Sequence, residues 1–270
     1  CNGVACKGKV PGIGARGSGR GFIESVQYLN SVKINMDCIY ENKGQDTSIE
    51  LFGHKFDMPV FIAPIGGMAP SYGGNMTEED YAEAIVKGAV KSGILAFTGD
   101  GADDLEYSAP LKYIDDVGGM AIPTMKPWDY EKSLERIKKA EDVNAIAIAM
   151  DIDSASIPVF IRNGGIGSPK SINQLKEIIS ETDKPFLLKG IMTAKSALKA
   201  IHTGAYGIVI SNHGGRFIED TPATFEVIEE IREAVGDSLK IFVDGGVRTG
   251  EDIFKCLALG ADAVLIGRTY

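Results

Sequence analysis

A histidine and an arginine lie three residues apart on a glycine-rich turn, in the stretch IVISNHGGR that ends at Arg216. The stretch begins as an apolar strand, and Gly214 and Gly215 let the chain bend sharply behind His213. An imidazole can take a proton near neutral pH, and a guanidinium grips a carboxylate through paired hydrogen bonds. The pattern predicts a site that holds an acid by its carboxylate and removes a proton from the adjacent carbon or its hydroxyl.

Two more charged residues, Asp151 and Lys189, come where other apolar runs end. Asp151 is placed to orient the imidazole of His213 and to stabilise its protonated form. Lys189 is compatible with a Schiff base, with neutralising an anion and with an ion pair to a carboxylate. The spacing of the apolar residues does not decide among these roles.

Glycines and arginines recur in the last two loops of the chain, DGGVRTG and GRT. Such loops offer backbone N–H groups without side-chain obstruction, and Arg248 and Arg268 add positive charge. In a (β/α)₈ barrel these two loops are the usual phosphate site. The pattern predicts a phosphorylated ligand, the alternative being turn glycines with solvated arginines.

The elements that must position these residues are eight short apolar runs, most of them separated by amphipathic helices. In chain order the runs are VFIAP, ILAFT, GMAIPT, AIAIAMD, FLLKG, GIVIS, KIFVDGG and AVLIG. Runs of this kind are typical of parallel strands buried on both faces, and eight of them favour a TIM (β/α)₈ barrel over residues 58–270. Residues 1–57 are expected to form an irregular N-terminal arm, with short strands in SVQYLNSVKIN and TSIELFGHKF. We also expect the closing eighth helix to be absent after Tyr270.

The composition excludes several classes of protein. The 270 residues are 44% hydrophobic and carry a net charge of -9, which argues against a nucleic-acid binder, and no apolar run approaches the roughly 18 residues of a membrane span. The four cysteines, Cys1, Cys6, Cys38 and Cys256, are sparse and predict free thiols in a reducing, cytoplasmic setting, without a metal. Exposed edges of the first and last barrel strands would favour a homo-oligomer.

Several motifs together resemble one enzyme family. SNHGGR, TPAT, LLKGIMTAKSA and FVDGGVRTGEDIFKCLALGADAVLIGR, with MPVFIAPIGGMA upstream, are similar to those of the FMN-dependent α-hydroxy acid oxidases and dehydrogenases, such as glycolate oxidase and lactate oxidase. The resemblance runs from about Pro59 to Arg268 and is densest after Phe186. It implies FMN as cofactor and a two-electron oxidation of a small 2-hydroxy acid to the 2-oxo acid.

The resemblance also implies roles for individual residues. His213 would be the base, Asp151 its partner, Arg216 the carboxylate anchor and Lys189 a cation near the N1–O2 edge of the flavin. The phosphate would bind at Gly246, Arg248, Gly267 and Arg268. The rest of the cofactor would be contacted by Ile65, Gly66, Thr98 and Ser211 near the ring and by Asp244 near the ribityl chain.

The chain departs from the family on the substrate side. In the segment AIPTMKPW, Ala121 and Pro123 stand where the family has glutamine and tyrosine, and no arginine follows Asp151 at the usual spacing, Arg162 lying farther along. Two alternatives therefore stay open. One is an FMN barrel with another activity, such as isomerisation of an isoprenoid diphosphate. The other is flavin binding without efficient turnover.

Overall fold

The structure is a computed structural model that describes residues 18–72 and 76–267. The described part begins with helix α1 (Arg20–Ser31), followed by a two-stranded antiparallel hairpin of β1 (Ile49–Leu51) and β2 (His54–Phe56). The hairpin confirms the strands predicted in TSIELFGHKF. The predicted strand in SVQYLNSVKIN is wrong, because residues 25–31 of this stretch belong to α1, whose buried face includes Phe22, Ser25 and Leu29.

Eight parallel strands form the barrel, and one lies in each of the eight predicted apolar runs. They are β3 (Val60–Ile62), β4 (Phe97–Thr98), β5 (Ile122–Met125), β6 (Ile148–Asp151), β7 (Phe186–Ile191), β8 (Gly207–Ile210), β9 (Lys240–Val243) and β10 (Ala263–Ile266). The strand order is β3-β10-β9-β8-β7-β6-β5-β4. A parallel bridge between Ile62 and Ala96, the residue before β4, nearly closes the ring. The TIM barrel prediction is confirmed.

Helices connect the strands and cover the barrel. They are α2 (Met68–Tyr72), α3 (Glu78–Lys91), α4 (Leu105–Asp116), α5 (Tyr130–Asp142), α6 (Pro158–Arg162), α7 (Ile172–Ile179), α8 (Ala194–Ile201), α9 (Ile228–Val235) and α10 (Gly250–Ala258). Side chains cap several of them; the Thr77 hydroxyl, for example, accepts a hydrogen bond from the Asp80 N–H at 3.0 Å. No described helix follows β10, and none in residues 18–72 and 76–267 is both long and apolar enough to cross a bilayer.

Aromatic side chains fill the centre of the barrel. Phe242 of β9 lies 6.0 Å from Phe97 of β4 and 6.3 Å from Phe61 of β3, measured between ring centroids, and all three side chains are fully buried. Inward-pointing side chains from several strands pack the interior of a barrel in this way. The packing fixes the strands relative to one another and therefore fixes the residues that follow their carboxyl ends.

Helix α1 packs against the carboxyl end of the barrel. The Asn212 side-chain amide donates a hydrogen bond to Ser25 Oγ at 3.4 Å, and the Lys255 ammonium donates one to the Leu29 carbonyl at 2.6 Å. A Cβ at Gly21 would lie 2.8 Å from the carbonyl oxygen of Glu219, so glycine is needed where the helix meets the loop after β8. The domain boundary near residue 58 stays a prediction.

Candidate active site

Most of the predicted site residues surround two adjoining cavities at the carboxyl ends of the strands. The β9–β10 cavity, of about 80 Å³, is lined by Lys189, Asp244–Arg248 and Gly267, among others. The β4–β6 cavity, of about 50 Å³, is lined by Gly99–Ala102, Lys126, Asp151 and Phe160, among others. Four residues line both cavities: Pro64, Ile65, His213 and Arg216.

The turn after β8 places the histidine and the arginine together. His213, Gly214 and Gly215 have φ values of 53°, 62° and 71°, and three consecutive left-handed residues reverse the chain within one short turn. The Ser211 hydroxyl accepts a hydrogen bond from the His213 N–H at 3.1 Å. Ser211 therefore supports the turn, and it lines neither of the two cavities.

The imidazole of His213 is held by the carboxylate of Asp153, which no pattern in the sequence predicted. Its Nδ1 lies 3.0 Å from Asp153 Oδ1 and 4.0 Å from Asp151 Oδ1, so Asp153 and not the expected Asp151 is its hydrogen-bond partner. Burial lowers the pKa of His213, the Lys189 ammonium lowers it further, and the two carboxylates offset part of the effect. The imidazole is thus neutral near pH 7 and able to accept a proton.

Asp151 is engaged by two lysines instead. Lys126 Nζ lies 2.9 Å from Asp151 Oδ2 and Lys189 Nζ lies 3.0 Å from Oδ1. Burial alone would raise the pKa of Asp151, but the two ammonium groups outweigh it and hold that pKa well below its usual range. Burial alone would lower the pKa of Lys189, but Asp151 and Asp244 raise it above its ordinary value. These groups are therefore ionised at neutral pH.

Lys126 reaches the site because the loop after β5 is tied to the loop after β4. Asp100 Oδ2 accepts hydrogen bonds from the Lys126 N–H at 2.9 Å and from the Trp128 indole N–H at 2.6 Å. The sequence placed Ala121 at a substrate-side position of the site, and this expectation is wrong, because Ala121 precedes β5 and lies at the opposite end of the strand. Lys126, just past the carboxyl end of β5, lines the site instead. Its position at a strand end was the signal that could have identified it.

Arg216 contacts a tyrosine from helix α2. Its guanidinium Nη2 donates a hydrogen bond to the Tyr72 hydroxyl at 3.3 Å, and both side chains line the β9–β10 cavity. Tyr72 carried no signal in the sequence, because α2 spans only five residues and shows no periodic pattern. The contact orients the guanidinium without neutralising its charge.

Asp151, Asp153 and His213 also present possible metal ligands within 4.8 Å of one another. Two lysine ammonium groups already lie about the Asp151 carboxylate, and they would repel a cation at this position. The donor set therefore fits proton transfer better than metal binding.

The loops after β9 and β10 form a backbone cradle. Gly245 and Gly246 have φ values of 101° and 82°, and a Cβ at Gly246 would lie 2.9 Å from the Ser25 carbonyl carbon of α1. Arg248 follows them, with a pKa that burial lowers, and Gly267 completes the lining. Arg268 lies outside the described residues. Glycine conformations that bare the backbone beside a guanidinium suit a phosphate.

Two buried threonines, Thr98 at the end of β4 and Thr124 in β5, lie beneath the loops of the site, although neither lines either cavity. Among the described residues, the buried hydroxyls of Thr98 and Thr124 have no hydrogen-bond partner, and unsatisfied buried hydroxyls are uncommon unless a ligand or water meets them. A Cβ at Gly99 would lie 2.6 Å from the Gly66 nitrogen, which lets the loops after β3 and β4 approach closely. Together with the cradle and Lys189, these groups match the phosphate, the polar edge and the ring of FMN.

The comparisons with known proteins agree with this chemistry. A model of the family described as FMN-dependent dehydrogenase matches residues 13–163 and 162–270. A peroxisomal (S)-2-hydroxyacid oxidase of Arabidopsis thaliana is 30% identical over 91% of this chain and 74% of its own. A 4-hydroxymandelate oxidase of Amycolatopsis orientalis is 28% identical over 82% of this chain and 70% of its own.

Solved structures give the same result. A mandelate oxidase variant with (S)-mandelic acid has a TM-score of 0.80 and 28% sequence identity, covering 95% of this chain and 78% of that one. Another variant, with a C4a-OH-FMN adduct, has a TM-score of 0.80 and covers 79% of its own chain. The barrel, the cradle and the matched sequence agree, and the chain belongs to the FMN-dependent dehydrogenase family.

Proposed function

We propose that this protein binds FMN and oxidises a small 2-hydroxy acid to the corresponding 2-oxo acid. The observation that carries the proposal is that His213 and Arg216, on one turn, line both cavities and so stand between the cofactor cradle and the β4–β6 cavity. The relatives named as hydroxyacid and hydroxymandelate oxidases support the substrate class.

Each residue has a definite task in such a reaction. FMN, when bound, accepts the two electrons that leave the substrate. Arg216 binds the substrate carboxylate as a two-pronged donor. His213 takes a proton from the substrate at Nε2, since Nδ1 faces Asp153. Lys189, kept charged by Asp151 and Asp244, supplies positive charge that favours electron transfer to the ring.

The β4–β6 cavity is the proposed place for the substrate side chain. It joins the cations Lys126 and Arg216 to an apolar wall that includes Ala102, Ile157 and Phe160. Ile157 and Phe160 pack with Trp128 in a separate apolar cluster. An acid with an apolar side chain would place its carboxylate at Arg216 and bury the side chain against that wall.

The proposal is tested by mixing the FMN-loaded protein anaerobically with glycolate, lactate and mandelate. Loss of the visible absorbance of the oxidised flavin, with formation of the 2-oxo acid, is the expected result. His213→Ala should retain FMN and lose this reaction. If no 2-hydroxy acid bleaches the flavin, or if the His213→Ala variant is reduced as fast as the wild type, the proposal is wrong. An isoprenoid diphosphate that is isomerised instead would establish the alternative activity.

Two further predictions concern the setting of the enzyme. A homo-oligomer is supported by apolar side chains exposed in the segment before β1, where Met36 and Ile39 are 89% and 94% exposed. A cytoplasmic location is supported by the two described cysteines, Cys38 and Cys256, which are free thiols. Light scattering of the purified protein tests the first, and cell fractionation tests the second.

A further inference from the structure

We propose that Asp153, and not Asp151, is the residue that positions the catalytic imidazole, and that Lys126 holds Asp151 out of this role. The inference rests on the proposed function, because it assigns a positioning residue to the base of that reaction. It separates two carboxylates that lie two residues apart and that the sequence alone does not distinguish.

The hydrogen bond to Nδ1 decides which nitrogen of His213 can act as a base. Asp153 Oδ1 lies 3.0 Å from Nδ1, and the two side chains are only 7% and 12% exposed. A carboxylate accepts only, so the neutral imidazole must carry its proton on Nδ1 and leave the Nε2 lone pair free. A partner at Nδ1 also stabilises the imidazolium that forms when Nε2 takes a proton.

The backbone places Asp153 for this contact. Gly190 of β7 has a φ of 106°, and a Cβ there would lie 2.6 Å from both Cβ and Cγ of Asp153. Any other residue at 190 would push the carboxylate away from its present position. The chain is turned after β6 by the Ser154 hydroxyl, which donates to the Asp151 carbonyl at 2.7 Å. Asp153 is thus directed toward His213 by the shape of the loop.

Each oxygen of Asp151 faces an ammonium group, and of the two contacts the one from Lys126 to Oδ2 is a hydrogen bond. Lys126 and Lys189 each place an ammonium within 3.0 Å of it, whereas its nearer oxygen is 4.0 Å from Nδ1. Two cations reduce the field that this carboxylate exerts on the imidazole. The charged groups that face His213 are therefore Asp153 and Asp151 from the end of β6 and Lys189 from β7, and Asp153 is the only one hydrogen-bonded to the ring among the described residues.

The test observes the imidazole itself. The chain has three histidines, and His54 and His202 are exposed, so a His54→Gln/His202→Gln background leaves the signals of His213 alone. In the FMN-loaded protein, ¹⁵N NMR gives its tautomer and its pKa without any substrate. Asp153→Asn should abolish the preference for Nδ1–H and lower the pKa of His213. Asp151→Asn should preserve the tautomer and lower the pKa less.

Kinetics and a third variant complete the test. Flavin reduction by the best 2-hydroxy acid should fall about a hundredfold in Asp153→Asn, within the range of general-base effects, and recover in part in Asp153→Glu. Lys126→Met frees one oxygen of Asp151. In this background, Asp153→Asn should lower the rate of flavin reduction by a smaller factor than it does in the wild type. Loss of the tautomer in Asp151→Asn, with retention in Asp153→Asn, would overturn the assignment.

Failure of the proposed function would look different. If none of the 2-hydroxy acids reduces the FMN bound to the wild-type protein, the proposed function is wrong. The tautomer measurement still decides which aspartate holds His213. If the tautomer and pKa follow Asp153 but the rate of reduction does not, Asp153 is structural and the inference fails while the function stands. Near-ultraviolet circular dichroism of each variant verifies that the fold is retained.

Discussion

The carboxylate of Asp100 accepts a 2.6 Å hydrogen bond from the indole N–H of Trp128, across the loops that follow β4 and β5. The same carboxylate lies 3.3 Å from the guanidinium of Arg136, and neither side chain is exposed. This buried anchor holds the loop on which Lys126 reaches Asp151. The position of one lysine in the site thus depends on an ion pair with a helix on the outside of the barrel.

Asp100→Ala should destabilise the protein by about 3–5 kcal/mol, because it leaves the buried charge of Arg136 without one of its partners. Urea unfolding measures the change. Asp104→Ala is the matched control, since Asp104 pairs with the same guanidinium but is 53% exposed, and its loss should cost less than about 1 kcal/mol. Equal effects of the two substitutions would refute the idea of a buried anchor.

Arg216→Lys should raise the Kd for the 2-oxo acid product at least about tenfold, because a lysine replaces a two-pronged donor with a single charge. FMN affinity should change little. Titration of the flavin spectrum with the 2-oxo acid product measures binding without turnover. Arg162→Lys is the control, since Arg162 is exposed and lines neither cavity. Unchanged binding in Arg216→Lys would exclude it as the carboxylate anchor.

Gly246→Ala should weaken FMN binding by about tenfold or more, because an alanine at a φ of 82° is strained and its Cβ would meet the backbone of Ser25 at 2.9 Å. Fluorescence quenching on titration of FMN into the apoprotein gives the Kd. Gly250→Ala, at the first residue of α10, is the control, since no atom lies within 4 Å of the Cβ built there. If both variants bind FMN equally well, the cradle has been assigned wrongly.

Glu106 provides a prediction on pH and stability. Burial and the nearby carboxylate of Glu78 raise its pKa from 4.5 to about 7. The folded state therefore binds this proton more tightly than the unfolded state. The resulting stabilisation is complete below pH 4.5 and disappears as the pH rises through 7. It amounts to at most about 3 kcal/mol, and to less after solvent screening.

Glu106→Gln removes the titration. Relative to the wild type, the variant should therefore be more stable at pH 8 than at pH 5, as measured by urea unfolding at both pH values. Glu79→Gln, at an exposed position, should show no such difference. A stability difference between Glu106→Gln and the wild type that is the same at pH 5 and pH 8 would contradict the raised pKa.

The sequence predicted the barrel because its strands are buried on both faces and appear as short apolar runs. Helix α1 was not predicted, because its local sequence pattern resembles that of a strand. Val26 and Tyr28 alternate with polar residues as in a strand, while the face that is buried includes a serine, Ser25, between Phe22 and Leu29. Tertiary packing against the barrel decided this element, and local pattern does not reveal such packing.

The site was predictable where it depends on strand ends. His213, Arg216, Lys189 and Asp151 were found from their positions after apolar runs, and all four line a cavity. The pairing of His213 with Asp153 was not predictable, because it depends on a turn of the loop after β6 and on room left by Gly190. Contacts between loops that are 60 residues apart in the chain leave no periodic signal.

Helix α1 touches the two halves of the site at once. Gly21 abuts the Glu219 carbonyl beyond the histidine turn, and four residues later Ser25 abuts Gly246 of the phosphate cradle. Because one helix contacts both regions, a substitution that displaces α1 should shift the phosphate cradle and the histidine turn together, and should affect FMN binding as well as the position of the imidazole.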